Sequence, residues 1–167
     1  MAFNFPSLLL LLLAATTSFA VLATAKKTQL QFYVHVINSG PNATTAVVAG
    51  LNKTSSAFGN IDVYDNILRV GTDPSSAIIG RIQGIDAQAS LGSPAVTAVY
   101  NFVFTGGAYN GSTLGMMGYH IMSQPTWEQS VIAGTGQFRL ARGYAIAQLV
   151  SYTPAYIVIN FNAYVLH

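Results

Sequence analysis

Ala133-Gly134-Thr135-Gly136-Gln137-Phe138-Arg139-Leu140-Ala141-Arg142-Gly143-Tyr144-Ala145 decides how this chain is read. Two closely spaced glycines permit the positive φ of a tight turn. The residues after them alternate as a strand does, with Phe138 and Leu140 on one side and Arg139 on the other. The same residues have a superficial likeness to a nucleotide-binding loop. That loop needs a third glycine opening a helix, and Arg139 stands in its place. From Tyr144 to Leu166 the chain is rich in Tyr, Val, Ile and Phe and has no helical period. The stretch therefore reads as a glycine turn feeding a long, half-buried strand over Gln137 to Ser151, with Arg142 a candidate inward-facing charge.

Working outward, the rest reads as strands of the same sheet. Thr28 to Asn38 alternates cleanly, with Leu30, Phe32, Val34 and Val36 on one face and Gln31, Tyr33, His35 and Ile37 on the other. Further strands are expected over Ala43 to Gly50, Asn60 to Val70, Ala77 to Asp86, Ala95 to Thr105 and Tyr109 to His120. A short ladder piece is expected over Glu128 to Ala133, and a last strand over Ala155 to Leu166. Glycine, proline and small polar clusters punctuate them, such as Ser39-Gly40-Pro41-Asn42 and Gly71-Thr72-Asp73-Pro74. About eight main strands with short connections predict an all-β antiparallel barrel or sandwich. Several strands are apolar on both faces, which predicts that identical subunits cover the outside.

The first residues read as a targeting segment. Ser7 to Ala15 is almost all leucine and alanine, and Ala23-Thr24-Ala25 fits a small-x-small cleavage site, with Ala20 as an alternative. The expected organisation is a cleaved signal peptide over 1–25 and one domain over 26–167. Secretion also suits the three N-x-S/T sequons at Asn42, Asn52 and Asn110. The chain has no cysteine, so a disulfide or thiolate nucleophile is excluded, and the fold must be held by packing and hydrogen bonds. A net charge of +2 with scattered basic residues disfavours nucleic acid. His35, His120 and His167 lie far apart without carboxylates at ligand spacing, so no metal site is expected.

Several short motifs, in this order, resemble the plant dirigent family. They are Phe32-Tyr33-x-His35, Asn42-Ala43-Thr44, Phe58-Gly59 with Asp65 and Gly71, and Gly80-Arg81-x-Gln83-Gly84. Phe102-x-Phe104, Tyr109 to Leu114, Gly134-Thr135-Gly136-x-Phe138 and Ala141 to Ala145 complete the set. The resemblance runs from Gln31 to His167. It implies a secreted, eight-stranded antiparallel β-barrel of the allene oxide cyclase type, homo-oligomeric as a dimer or trimer, acting in the apoplast without a cofactor of its own. Such proteins impose regio- and stereoselectivity on the coupling of phenoxy radicals, such as those of coniferyl alcohol, to lignans. A separate laccase or peroxidase makes the radicals. Some relatives instead cyclise or dehydrate a quinone-methide-like intermediate.

Two positions depart from the resemblance. Lignan-forming members typically carry aspartate after the first-strand histidine and often after Gly-Thr-Gly. Here those residues are Val36 and Gln137, and neither can titrate. Arg142 matches, and either holds a phenol oxygen or pairs with a buried carboxylate such as Asp86 or Asp65. Asp86 is either a relocated pocket acid or a strand-end turn residue, while Asp65 is expected in a turn or ion pair. Arg142 and Asp86 are thus the catalytic candidates. Phe32, Val34, Val36, Phe102, Phe104, Gln137 and Tyr144 are the candidates for binding substrate. A third possibility is a stress-related cell-wall or carbohydrate-binding protein that kept the barrel and lost the pocket chemistry.

Overall fold

Period-two alternation governs almost every segment of the chain. The computed structural model describes residues 25–50 and 57–167. The expected leader up to residue 24, the sequon residue Asn52 and the loop around Ser55-Ser56 lie outside the described residues. Nine strands follow in order: β1 (Lys27–Ile37), β2 (Thr45–Ala49), β3 (Ile61–Arg69), β4 (Ile78–Gln88) and β5 (Ala95–Phe104), then β6 (Thr113–Ile121), β7 (Thr126–Thr135), β8 (Arg142–Tyr152) and β9 (Tyr156–Leu166). The only helical turns among the described residues are short 3-10 pieces at Gly107–Tyr109 and Gly136–Phe138.

Every pairing is antiparallel, in the order β1-β9-β8-β7-β6-β5-β4-β3-β2. A further pairing of β1 with β3, Val34 opposite Leu68, closes the sheet into an eight-stranded barrel. β2 is the short extra strand. β1 lies against the C-terminal half of β3 and β2 against its N-terminal half. Together they edge β3 as one line interrupted by the loop from Asn38 to Thr44. Thr44 stitches that interruption: its amide donates to Ile37 O at 2.8 Å, and its hydroxyl receives Ile37 N–H at 3.0 Å. Closure removes nearly all free strand edges, which suits a chain without disulfides.

The first strand is oriented as its pattern predicts, with Leu30, Phe32, Val34 and Val36 all buried inside. The opening stretch is not. Gly134 and Thr135 still belong to β7, which runs full length rather than as a short piece. The chain then turns through Gly136 (φ 61°) and again through Leu140 (φ 63°) before β8 begins at Arg142. Phe138 is fully buried and Leu140 is 85 % exposed, so the two do not share a face. A Cβ on Gly134 would sit 2.0 Å from the Phe138 carbonyl oxygen, so only glycine lets the chain fold back this closely. The result is a plug. Phe138 stacks on Tyr109 at 4.9 Å and meets Phe104 at 5.6 Å, sealing one end of the barrel. Below it, Phe32, Phe102 and Phe161 pack edge-on and stacked, with Phe32 and Phe102 centroids 4.7 Å apart.

Candidate functional site

Beyond this aromatic layer the barrel is hollow. A cavity of about 330 Å³ lies towards the opposite end, where β1 and β4 finish and β5 and β7 begin. That volume is at the small end of the range for ligand sites. Its apolar wall comes from Val34 and Val36 on β1, Ile82 on β4, Ala98 on β5, Trp127 on β7 and Phe161 on β9. The strands place these side chains by alternation alone: each inward residue is two steps from the next. Gly84 makes room for one ring. A Cβ there would lie 2.3 Å from Tyr100 Cβ, so the glycine lets Tyr100 lie across β4.

Polar groups are concentrated on β3, β4 and β5. Asp62 and Asp86 are direct cross-strand partners, and both line the cavity. The Tyr64 hydroxyl donates to Asp86 Oδ1 at 3.1 Å. Burial pushes the Asp86 carboxyl up to about 6; the Tyr64 hydrogen bond opposes the rise, and the neighbouring Asp62 charge adds to it. Burial also raises Asp62, against a hydrogen bond from the Gln88 side chain. Tyr64 and Tyr100 are both raised, first by burial and then by Asp86, so both remain protonated donors at neutral pH. His120 stacks face to face on Trp127 at 3.8 Å and is lowered by burial, so it enters the cavity as neutral imidazole. Its Nε2 donates to Gln124 O at 3.3 Å.

Three cavity-lining oxygens are buried without a hydrogen-bond partner: Tyr100 Oη, Gln88 Oε1 and Gln129 Oε1. Such atoms cost free energy when left unpaired and mark places where a polar ligand is recognised. Among the described residues, no Lys or Arg lines the cavity. The arrangement can hold a flat aromatic ligand between Tyr64, Tyr100, Trp127 and Phe161, engage its hydroxyl groups at the carboxyls, and move a proton at Asp86.

The residues expected from the sequence divide between the two ends. Val34, Val36 and Asp86 line the cavity. Phe32, Phe102 and Phe104 are buried in the aromatic layer and do not line it. Gln137 is exposed at the plugged end, where its Nε2 donates to Ala108 O at 2.6 Å. Arg142 does not face inward. It is exposed at the first position of β8, out of step with the inward Ala145 and Ala147, and pairs with neither Asp86 nor Asp65. Tyr144 shares that outer face and stacks on Tyr164 at 5.1 Å. Asp65 forms an ion pair with Arg81 on the barrel exterior. Asn42 and Asn110 are exposed in connecting loops. Among the described residues, no group of three or more His, Cys, Asp or Glu side chains is placed to hold a metal ion.

Asp62, Tyr64, Gln88, Gln129, His120 and Trp127 are lining residues that the sequence reading did not single out. The signal for the first two was present: stepping back by twos from buried Leu68 gives Asn66, Tyr64 and Asp62. The apolar Ile61 and Val63 drew attention to the other face, which in fact points outward.

The family model for dirigent-like proteins matches residues 27–166, which is the whole barrel. The chain belongs to the dirigent family. Its dirigent relatives include Dirigent protein 1 of Arabidopsis thaliana, 36 % identical over 157 residues, covering 92 % of this chain and 86 % of that one. Pterocarpan synthase 1 of Glycyrrhiza echinata is 36 % identical over 148 residues, covering 85 % of this chain and 79 % of the relative. Among solved structures, a pterocarpan synthase dirigent protein superposes with a TM-score of 0.79 at 35 % identity, covering 86 % of this chain and 91 % of that one.

Proposed function

We propose that this dirigent barrel binds a reactive phenolic intermediate in its open-ended cavity and controls the stereochemistry of the bond that forms there. The leading reading is coupling of monolignol radicals, such as those of coniferyl alcohol, to lignans. A separate laccase or peroxidase supplies the radicals. The observation that carries the reading is the cavity itself: aromatic walls, unpaired polar oxygens on β4, β5 and β7 and an aromatic floor that fixes depth. Position suffices for selectivity, since a tenfold preference between two faces requires only about 1.4 kcal/mol.

A second reading is stereoselective cyclisation of a quinone methide, for which the relatives named pterocarpan synthase are the support. Asp86 favours it, because a carboxyl that titrates at about 6 beside a tyrosine hydroxyl can move protons in mildly acidic surroundings.

Secretion to the apoplast, glycosylation at Asn42, Asn52 and Asn110, and homo-oligomerisation are part of the same proposal. Oligomerisation is supported by an apolar row on the outer surface. Val63, Ile85, Val99 and Met117 are aligned side by side across β3 to β6, and each is 38–50 % exposed. A role in plant defence would follow from the products. The test is oxidase-driven coupling of coniferyl alcohol with and without the purified protein, read by chiral chromatography. An enantiomeric excess is expected; racemic product across the plausible monolignols, with no cyclisation of quinone methides, would refute the proposal.

A further inference from the structure

We propose that Asp62 and Asp86 hold one proton between them and pass it to and from the ligand, one carboxyl donating to the ring-conjugated oxygen and the other accepting from the attacking hydroxyl. This rests on the phenolic reading of the cavity and assigns its chemistry to two residues on adjacent strands. Neither occupies the first-strand or Gly-Thr-Gly position at which the resemblance to lignan-forming members would place an aspartate; those positions carry Val36 and Gln137.

The geometry carries the assignment. Directly opposed residues on one face of an antiparallel pair have Cβ atoms about 5 Å apart, so the two carboxyls share one patch of wall. Two carboxylates this close in an apolar cavity resist double ionisation, so one retains a proton when the other has lost it. The groups facing them are Tyr64 on β3, Tyr100 on β5, His120 on β6 and Tyr152 on β8; β1, β7 and β9 add no titratable side chain to the lining. No cation is present among these residues to stabilise a double charge. The independent sign of a ligand is the set of unpaired oxygens on Tyr100, Gln88 and Gln129, each at most 5 % exposed and each on the cavity wall beside or across from the pair.

The step balances without an oxidant. Radical coupling through a side-chain carbon leaves the ring as a quinone methide, and a cyclisation substrate is already one. A hydroxyl oxygen adds to the exocyclic carbon and forms one C–O bond. The exocyclic C=C pair moves into the ring, which becomes aromatic, and the C=O pair moves onto oxygen. That oxygen takes the proton from Asp86 and becomes a phenol. The proton of the attacking hydroxyl passes to the Asp62 carboxylate. The pair begins and ends with one proton, and the hydrogen bond from Tyr64 holds Asp86 in place throughout.

The test uses a synthetic para-quinone methide bearing a side-chain hydroxyl, with ring closure followed in single turnover from about pH 5 to 8. Phenol binding is read separately by quenching of Trp127, the only tryptophan of the chain and part of the cavity wall. Wild type is expected to accelerate closure, losing the acceleration as pH rises past about 6. Asp86→Asn should close the ring at least roughly tenfold more slowly at saturating ligand, with quenching of Trp127 by coniferyl alcohol showing that the cavity is still occupied. Asp62→Asn should slow closure and shift the pH midpoint downward, because the neighbouring negative charge is gone. Asp86→Glu should recover part of the rate, and thermal melts establish that each variant is folded. Unchanged rates in both Asn variants, with quenching retained, would overturn the pair alone. Absence of quenching by any phenol in wild type would remove the phenolic reading and the pair's role with it.

Discussion

Asp62 on β3 and Asp86 on β4 face one another across the ladder inside an apolar cavity, and burial lifts the Asp86 carboxyl to about 6. The sign of the consequence is fixed. The folded state binds a proton that the unfolded chain has released between about pH 4 and 6, so stability falls as pH rises through that window and the deficit persists above it. Asp86→Asn is therefore expected to raise the melting temperature at pH 7 and leave it nearly unchanged at pH 4. The gain at pH 7 has an upper limit of about 3 kcal/mol, less the weakened bond from Tyr64. Melts at the two pH values check it. Asp62, shifted in the same direction, should behave alike with a smaller effect.

His35 works in the opposite sense. It is fully buried outside the barrel wall, where Nε2–H donates to Gly71 O at 2.9 Å and Nδ1 accepts from the Tyr156 hydroxyl. Both bonds suit the neutral ring, and burial lowers its pKa, with the Gly71 bond opposing. Its contribution is complete above the ordinary histidine pKa of 6.5 and is lost as pH falls below it. The difference in urea midpoint between wild type and His35→Gln should narrow from pH 7 to pH 5, whereas a constant difference would show that His35 does not titrate.

The plugged end should be separable from the cavity. Phe138→Ala removes a fully buried ring and is expected to cost about 3–5 kcal/mol. Coniferyl alcohol should still quench Trp127 in that variant, because Phe138 does not line the cavity. Denaturant unfolding and fluorescence titration of one sample give both numbers.

Arg142 is exposed on the outer face, so Arg142→Ala should leave Trp127 quenching and the handedness of product unchanged within about twofold. Loss of selectivity would mean that the β8 start joins the site in the working assembly.

Charge should also govern which phenols enter. With two carboxyls on the wall and no Lys or Arg there among the described residues, a cinnamyl alcohol is expected to bind at least roughly tenfold more tightly at pH 7 than the corresponding cinnamic carboxylate. Protonating the pair should shrink that gap, which titrations at pH 7 and 5 would measure.

The strands were legible because alternation is a local signal. Leu30, Phe32, Val34 and Val36 announced their buried face, and the order of β-branched runs and turns left a barrel or a sandwich, between which the family resemblance chose the barrel. The Gly134–Tyr144 segment was harder. Its strand-like alternation hid two left-handed turns, at Gly136 and Leu140, that exist because Phe138 gains more by filling the barrel end than by continuing a ladder. The site was only half visible. Of the sequence candidates Val34, Val36 and Asp86 line the cavity, but Asp62 was masked by the apolar residues on either side of it. In this barrel Ile61 and Val63 cover the outside and the polar residues line a cavity, which reverses the usual reading of a half-buried strand.

The most direct measurement is a crystal structure of the protein with coniferyl alcohol or a stable quinone-methide analogue. The ring is expected between Tyr64, Tyr100 and Trp127, with an oxygen in hydrogen-bond reach of Asp86. A ligand bound instead at the Gly136–Arg142 end, or a cavity left without one under conditions where the product is enantiomerically enriched, would contradict it.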